Sequence, residues 1–247
     1  MTLNAQYDSI AAGYKQTKQS PLREHVEAYT FMRMLGELHG MTVLDLACGE
    51  GFYTRRIRQL GAASVTGVDI SAEMIALARE AEATDALGIE YICADAATLQ
   101  SPVRYDLVGA AYLLHYASDV TELRAMCESI AGCLKPGGRF VAINENPDQS
   151  ADDYAAYTQY GFNKKFARPR ADASTIEYSM IAGREVIGFS AYFYTRDTYE
   201  QALRDAGFNS IRWVPLELAP AGVDAMGDEY WRAYMDNPPV VGLEAVL

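Results

Sequence analysis

The chain is short of the residues that build metal centres and staples. It has three histidines and four cysteines in 247 residues. Cys48, Cys93, Cys127 and Cys133 show no C-x-x-C spacing, and His25, His39 and His115 are not spaced to share a metal with another ligand. No metal site is therefore expected, and the thiols read as buried and reduced, Cys93 in an apolar strand and Cys127 and Cys133 in a helix. Basic residues are also scarce: 21 Lys and Arg stand against 33 Asp and Glu, for a net charge of −12. Such a surface repels phosphate backbones and anionic lipid, so neither nucleic acid nor membrane is an expected partner. No apolar run approaches the ~18 residues of a membrane span. The first residues carry neither a basic region nor an apolar stretch of signal-peptide type, so a cytoplasmic protein is expected.

What is present is α/β alternation. Strands are expected at 42–47, 64–69, 89–94, 105–111 and 138–144, with helices at 52–60, 72–83 and 119–134 between them. Alternation of this kind implies a parallel sheet covered on both faces. Ser71 has the character of a cap for the 72–83 helix, and Pro136-Gly137-Gly138 imposes a turn before the 138–144 strand. Helices are also expected at 4–18, with Tyr7, Ile10, Ala11 and Tyr14 on one stripe, and at 22–38. Beyond Pro147 the period is lost until a hairpin, Ile176–Ile181 and Glu185–Tyr194, around Ala182-Gly183-Arg184. A 197–206 helix and a Ser210–Pro215 strand follow. The short apolar tail Val240–Leu247 has either its own chain or a neighbour to dock on.

One corner carries the functional reading. Residues 42–54 run from an apolar strand straight through Gly49-Glu50-Gly51 into a helix, where a backbone without Cβ atoms can press against a polar ligand. Eighteen positions after Gly51, Asp69 closes the second strand, where an acid can accept two hydrogen bonds from a ribose diol. Asp95 follows the third strand. A nicotinamide dehydrogenase would use the same corner, but its fingerprint needs a third small residue where Thr54 stands. Asp45, inside the first strand, is likewise unlike a dinucleotide strand.

Gly49-x-Gly51, Asp69 and Asp95 together resemble the class I S-adenosylmethionine-dependent methyltransferases, over about Tyr7 to Phe208. The resemblance implies a Rossmann-like, doubly wound, mainly parallel seven-stranded sheet with an antiparallel last strand, all one domain. It implies an N-terminal helical lid (1–40) and a substrate-covering insertion (148–192). The implied cofactor is S-adenosyl-L-methionine, held by Asp45, Ala47, Gly49, Gly51, Asp69, Ile70, Met74, Asp95, Ala96 and Ala111. Asp69 takes the ribose, Ile70 and Met74 sandwich the adenine, and Asp95-Ala96 reads its edge. The family often has Gly where this chain has Ala47, and Ala fits there if φ stays negative. Tyr7 and Tyr14 either close over the cofactor or pack their helix on the core.

In Ala110-Ala-Tyr-Leu-Leu-His-Tyr-Ala117 the family places residues that face the transferred methyl. Tyr112, His115 and Tyr116 are therefore expected at the acceptor, with His115 either a general base or a packed histidine. Tyrosine is abundant, 17 residues against 8 Phe and 2 Trp. Tyr154, Tyr157, Tyr160, Tyr178, Tyr192, Tyr194, Tyr230, Tyr234 and Trp231 fall in the insertion and C-terminal segments. Of these, Tyr192, Tyr194 and Trp231 are expected on the acceptor wall, since flat rings with a polar edge suit a planar heteroaromatic molecule. Lys164, Lys165, Arg168 and Arg170 read as a solvated loop cluster.

The segments Tyr7–Tyr14, Pro21–Tyr29 and Pro238-Pro239-Val-Val are similar to enzymes of azapteridine (toxoflavin-type) biosynthesis, which implies ring N-methylation of a small molecule; a monomer or homodimer is expected. Two rivals stay open: a phenolic O-methyltransferase with His115 as base, and a non-catalytic cofactor-binding protein.

Overall fold

The computed structural model describes residues 20–150, 155–182 and 185–247. The expected 4–18 helix with Tyr7 and Tyr14, as well as Tyr154 and the Gly183-Arg184 turn, lie outside the described residues. A π-helical turn, Arg23–Glu27, leads into α1 (Ala28–Leu35). The α/β alternation then follows: β1 (Thr42–Leu46), α2 (Phe52–Gln59), β2 (Ser64–Asp69), α3 (Ala72–Thr84), β3 (Glu90–Cys93), β4 (Tyr105–Ala111), α4 (Val120–Cys133) and β5 (Leu134–Glu145). Next come a 3-10 turn, Ala155–Tyr160, and β6 (Phe162–Phe166), β7 (Ser174–Ala182) and β8 (Glu185–Phe193), which form a separate three-stranded sheet. The chain closes with α5 (Arg196–Asp205), β9 (Ser210–Val214), α6 (Pro220–Met226), α7 (Asp228–Asp236) and β10 (Val240–Val246).

The main sheet has seven strands in the order β3-β2-β1-β4-β5-β10-β9. β1 pairs in parallel with β2 and β4, while β10 runs antiparallel to both β5 and β9. The apolar tail thus docks on its own chain and completes the sheet between β5 and β9. Strand alternation divides the core. Val43, Leu107 and Val141 face Phe31, Leu35 and Ile57, while Leu44, Val108 and Phe140 face Leu123, Ile130 and Leu203. Helices cover both faces, as a parallel sheet requires. Strand order reverses between β1 and β4, so a crevice opens beyond their carboxyl ends.

Several local expectations change. The Pro136-Gly137-Gly138 turn lies within β5. Leu134 pairs with Tyr105 and the next partners are Arg139 and Leu107, so residues 135–138 bulge out of the ladder. Cys93 is exposed, because β3 is an edge strand with only Tyr91 buried. β6 escaped sequence reading because its inward face, Phe162, Lys164 and Phe166, includes a buried lysine that breaks the apolar alternation.

The basic cluster is also revised. Lys164 is buried against Glu145. The Arg170 guanidinium lies 4.6 Å from the Phe166 ring centre and 4.1 Å from that of Phe193, bonding the Pro147 and Gln149 carbonyls. Of the two remaining side chains, Lys165 is exposed as expected, its ammonium 3.8 Å from Glu177.

Candidate functional site

The corner between β1 and α2 is built from backbone conformations that side chains rarely tolerate. Ala47, Gly49 and Gly51 have φ of 55°, 56° and 88°. Ala47 is therefore left-handed, contrary to the negative φ expected for it, at a cost of about 1–2 kcal/mol. Gly51 has a second constraint, since a Cβ there would lie 2.4 Å from Tyr91 Oη. The Thr54 hydroxyl donates to Asp45 Oδ2 at 2.6 Å, both side chains buried. This bond ties the first turn of α2 to β1 where a dinucleotide fold would use a small residue. Asp45 and Gly51 thus shape the loop from behind.

Asp69 stands across the crevice with its carboxylate held at both ends. Oδ2 accepts the Gly49 N–H at 2.8 Å and Oδ1 the Ser71 N–H at 2.9 Å. Ser71 also caps α3, as expected, accepting the Met74 N–H at 3.2 Å. This places Met74 beside Ile70 on the crevice wall. Asp95 Oδ1 accepts the Ala97 N–H at 2.8 Å, which fixes the opposite rim.

Two adjoining chambers result. The first, of about 90 Å³, is lined by residues including Ala47, Gly49, Asp69, Ile70, Met74, Asp95, Ala96 and Ala111. The second, of about 230 Å³, has aromatic walls from Tyr112, Tyr116, Tyr160, Phe162, Tyr178 and Phe189. Arg23, Tyr112 and Tyr116 line both and form the junction. Tyr112 has φ of 70°, backbone strain of the kind that gathers at ligand-facing positions.

Comparison with known proteins agrees with this geometry. Residues 43–138 match a family described as a methyltransferase domain. The ubiquinone biosynthesis O-methyltransferase of Stutzerimonas stutzeri is 28% identical over 165 residues, 62% of this chain and 69% of that protein. The Coxiella burnetii enzyme of the same name is 35% identical over 112 residues, 44% of this chain and 46% of the relative. The S-adenosylmethionine-dependent methyltransferase structure from Mesorhizobium loti superposes with a TM-score of 0.64 at 25% identity, covering 94% of this chain and all of that one. The chain is a class I S-adenosylmethionine-dependent methyltransferase.

S-Adenosylmethionine is this methyltransferase's cofactor, and the first chamber suits it chemically. A carboxylate oriented by the Gly49 and Ser71 backbone N–H groups faces the crevice, two apolar side chains flank a slot, and a second acid lies at its rim. Among the described residues no group of three or more His, Cys, Asp or Glu is placed to hold a metal ion. No helix of the described chain is long and apolar enough to cross a membrane.

The expected acceptor residues divide into two groups. Tyr112, His115 and Tyr116 line the second chamber. Tyr194, Trp231 and Tyr192 do not. Tyr194 is fully buried with its hydroxyl donating to the Ala117 carbonyl at 2.7 Å. Trp231 is buried, with Nε1 donating to the Gly222 carbonyl at 2.9 Å. Tyr192 packs at the edge of the core beneath the other sheet face. Tyr160, from the 3-10 turn, and Tyr178, from β7, line that chamber instead.

Sequence reasoning missed a charged pair in that chamber. Arg23 Nε lies 3.3 Å from Glu27 Oε2, both side chains 7% exposed. Glu27 Oε1 accepts the Tyr234 hydroxyl at 3.0 Å, and the Arg23 guanidinium lies 4.9 Å from the centre of the Tyr112 ring. The i, i+4 spacing of Arg and Glu was the available signal. It reads as a surface pair until the aromatic walls are in place.

His115 Nδ1 lies 3.1 Å from Asn144 Oδ1 and 3.4 Å from the Glu145 backbone nitrogen. Burial pushes its pKa below the ordinary 6.5, outweighing the Glu145 charge and the Asn144 hydrogen bond, which raise it. The unfolded chain therefore binds a proton near pH 6.5 that the folded chain resists. Stability contributed by the neutral imidazole is complete above pH 6.5 and falls as the pH drops toward the folded pKa. His115→Gln should flatten this part of the stability curve, measured by urea unfolding at pH 7.5 and 5.5. An unchanged slope would place the acid sensitivity elsewhere.

Proposed function

We propose that this enzyme methylates a small, planar heteroaromatic metabolite, with a ring nitrogen as acceptor atom. The observation that carries this reading is the second chamber: aromatic rings on several sides, the Arg23–Glu27 pair on one wall, and direct continuity with the cofactor chamber. Flat walls suit a flat ring, and a fixed cation–anion pair suits a molecule whose edge both donates and accepts hydrogen bonds.

S-Adenosylmethionine supplies a methyl group on a positively charged sulfur, a leaving group that needs no further activation. The chain's residues must therefore align the acceptor and exclude water, which in well-oriented systems supplies roughly 7–11 kcal/mol. Ala47, Gly49 and Asp69 hold one partner, with the walls from β6, β7 and β8 orienting the other. We also assign Tyr7 and Tyr14 to a lid that precedes α1, which is itself anchored in the core through Phe31 and Leu35, and 148–192 to a cover over the acceptor. His115, kept neutral by burial, contacts the acceptor and is a weak base. That suits a ring N–H of appreciable acidity better than a phenol.

The second reading, O-methylation of a phenolic metabolite, draws on the relatives' name, ubiquinone biosynthesis O-methyltransferase. A panel of pteridinediones, other nitrogen heterocycles, catechols and simple phenols incubated with S-adenosylmethionine separates the two. We expect a gain of one methyl mass on a pteridinedione such as lumazine, located on nitrogen by NMR. Products confined to the catechols and phenols would overturn the heteroaromatic reading in favour of O-methylation.

A further inference from the structure

Behind the second chamber lies a polar network that substrate binding alone does not require. Tyr178, on the chamber wall, donates its hydroxyl to Glu145 Oε2 at 2.6 Å. Glu145 Oε1 is bonded by the Lys164 ammonium, and the side chains are 1% and 0% exposed. Lys164 also donates to Gln149 Oε1 at 2.6 Å, with the Pro239 carbonyl at 3.4 Å. Its Nζ sits 4.7 Å from the Phe166 ring centre and 5.5 Å from that of Tyr178. The backbone N–H of Glu145 donates to His115 Nδ1 at 3.4 Å. Phe189 stacks on Tyr178 with ring centres 5.0 Å apart and planes 4° from parallel, which fixes the ring.

An ion pair this deep is weak evidence for stability, because desolvating both charges offsets their attraction. It does provide a carboxylate reachable from the chamber through one hydroxyl. We propose that Tyr178 is the proton acceptor for methyl transfer and that Glu145, charge-balanced by Lys164, is the sink behind it. As the acceptor atom bonds the methyl carbon, the S–C electron pair stays on sulfur and the sulfonium becomes a thioether. The acceptor's N–H or O–H proton passes to Tyr178 Oη, and the hydroxyl proton of Tyr178 passes to Glu145 Oε2. Tyr178 ends neutral and Glu145 ends as a carboxylic acid beside the Lys164 ammonium. The phenol never becomes an anion, and burial next to Glu145 holds its pKa well above 10. This role rests on the reading above only in requiring an acceptor that loses a proton, on nitrogen or on oxygen.

The test uses full-length Tyr178→Phe and Glu145→Gln with lumazine, and with a catechol series of graded acidity ending in 4-nitrocatechol. S-Adenosylhomocysteine affinity, from calorimetry, should stay within about twofold of wild type in both variants and so report an intact fold. Against the least acidic acceptors kcat should fall by roughly 10²- to 10³-fold, the usual reach of positioned proton transfer. The loss should shrink as the acceptor becomes more acidic and vanish for 4-nitrocatechol, while the wild-type solvent deuterium isotope effect on kcat disappears in Tyr178→Phe. A merely structural role would cost every acceptor the same factor, and that result would overturn the relay. So would unchanged kcat, or turnover only of ring nitrogens that carry no proton. Lumazine methylated without any effect of the variants would leave the heteroaromatic reading standing and the relay refuted. Catechols methylated through the relay, with lumazine untouched, would do the reverse. No product from any acceptor would overturn both.

Discussion

Asp69→Ala should weaken S-adenosylhomocysteine binding by roughly 10²- to 10⁴-fold in calorimetry. The range follows from two charge-assisted hydrogen bonds to a ribose diol at about 1.5–3 kcal/mol each. The variant also strips the Gly49 and Ser71 N–H groups of the carboxylate that orders them. Asp69→Asn should be nearly as damaging. Both carboxylate oxygens accept a backbone N–H, and an amide can present an oxygen to only one of them. Its NH₂ would face the other donor and push Gly49 or Ser71 away. Affinity within threefold of wild type in both variants would remove Asp69 from the cofactor site.

Arg23→Ala should lower stability by about 3–5 kcal/mol, because it leaves the Glu27 carboxylate buried with the Tyr234 hydroxyl in place of its cation. For a domain of this size the melting temperature should drop by roughly 6–20 °C, at 2–4 °C per kcal/mol. Replacing both partners separates packing from recognition. Arg23→Met with Glu27→Leu removes both charges at similar volume, a change that is often neutral or stabilising. Its melting temperature should return to near the wild-type value while acceptor kcat/KM stays depressed by roughly 10²-fold. Recovery of both quantities would make the pair structural only.

Much of the fold was legible because strand period and turn chemistry act locally. β1, β2 and β4 and helices α2, α3 and α4 begin and end within a residue or so of expectation. Their apolar spacing, the Ser71 cap and the Gly49-Glu50-Gly51 corner are properties of adjacent residues. The cofactor chamber was legible for the same reason: Ala47, Gly49, Asp69, Ile70, Met74, Asp95, Ala96 and Ala111 each lie at or just beyond the carboxyl end of a strand, and a parallel sheet brings those ends together. Even there, Ala47 took the left-handed conformation its residue type disfavours, since the path from β1 into α2 outweighs about 1–2 kcal/mol of local strain.

The acceptor chamber was less legible. Its walls come from the Arg23–Glu27 turn, the loop after β4, the 3-10 turn, β6–β8 and the approach to β10, segments spread along the chain from Ser20 to Val240. Nothing local tells Tyr178, which faces the chamber, from Tyr194, which is buried in the core on the other face of the sheet. Charged residues misled most. Lys164 and Arg23 look like surface residues in sequence: the partners of Lys164 come from distant segments, and Arg23, though paired locally with Glu27, is buried only by walls that folding brings over it. For Lys164 those partners are Glu145 and Gln149, and burial lowers the lysine pKa to about 8 even so. The sequence by itself determined the sheet, its crevice and the chemistry of the cofactor, which depend on the period of the chain and the residues at each strand end. Tertiary structure alone decided the second chamber, because the pairing of Glu145 with Lys164 and the desolvation of the Arg23–Glu27 pair exist only once distant segments exclude water together.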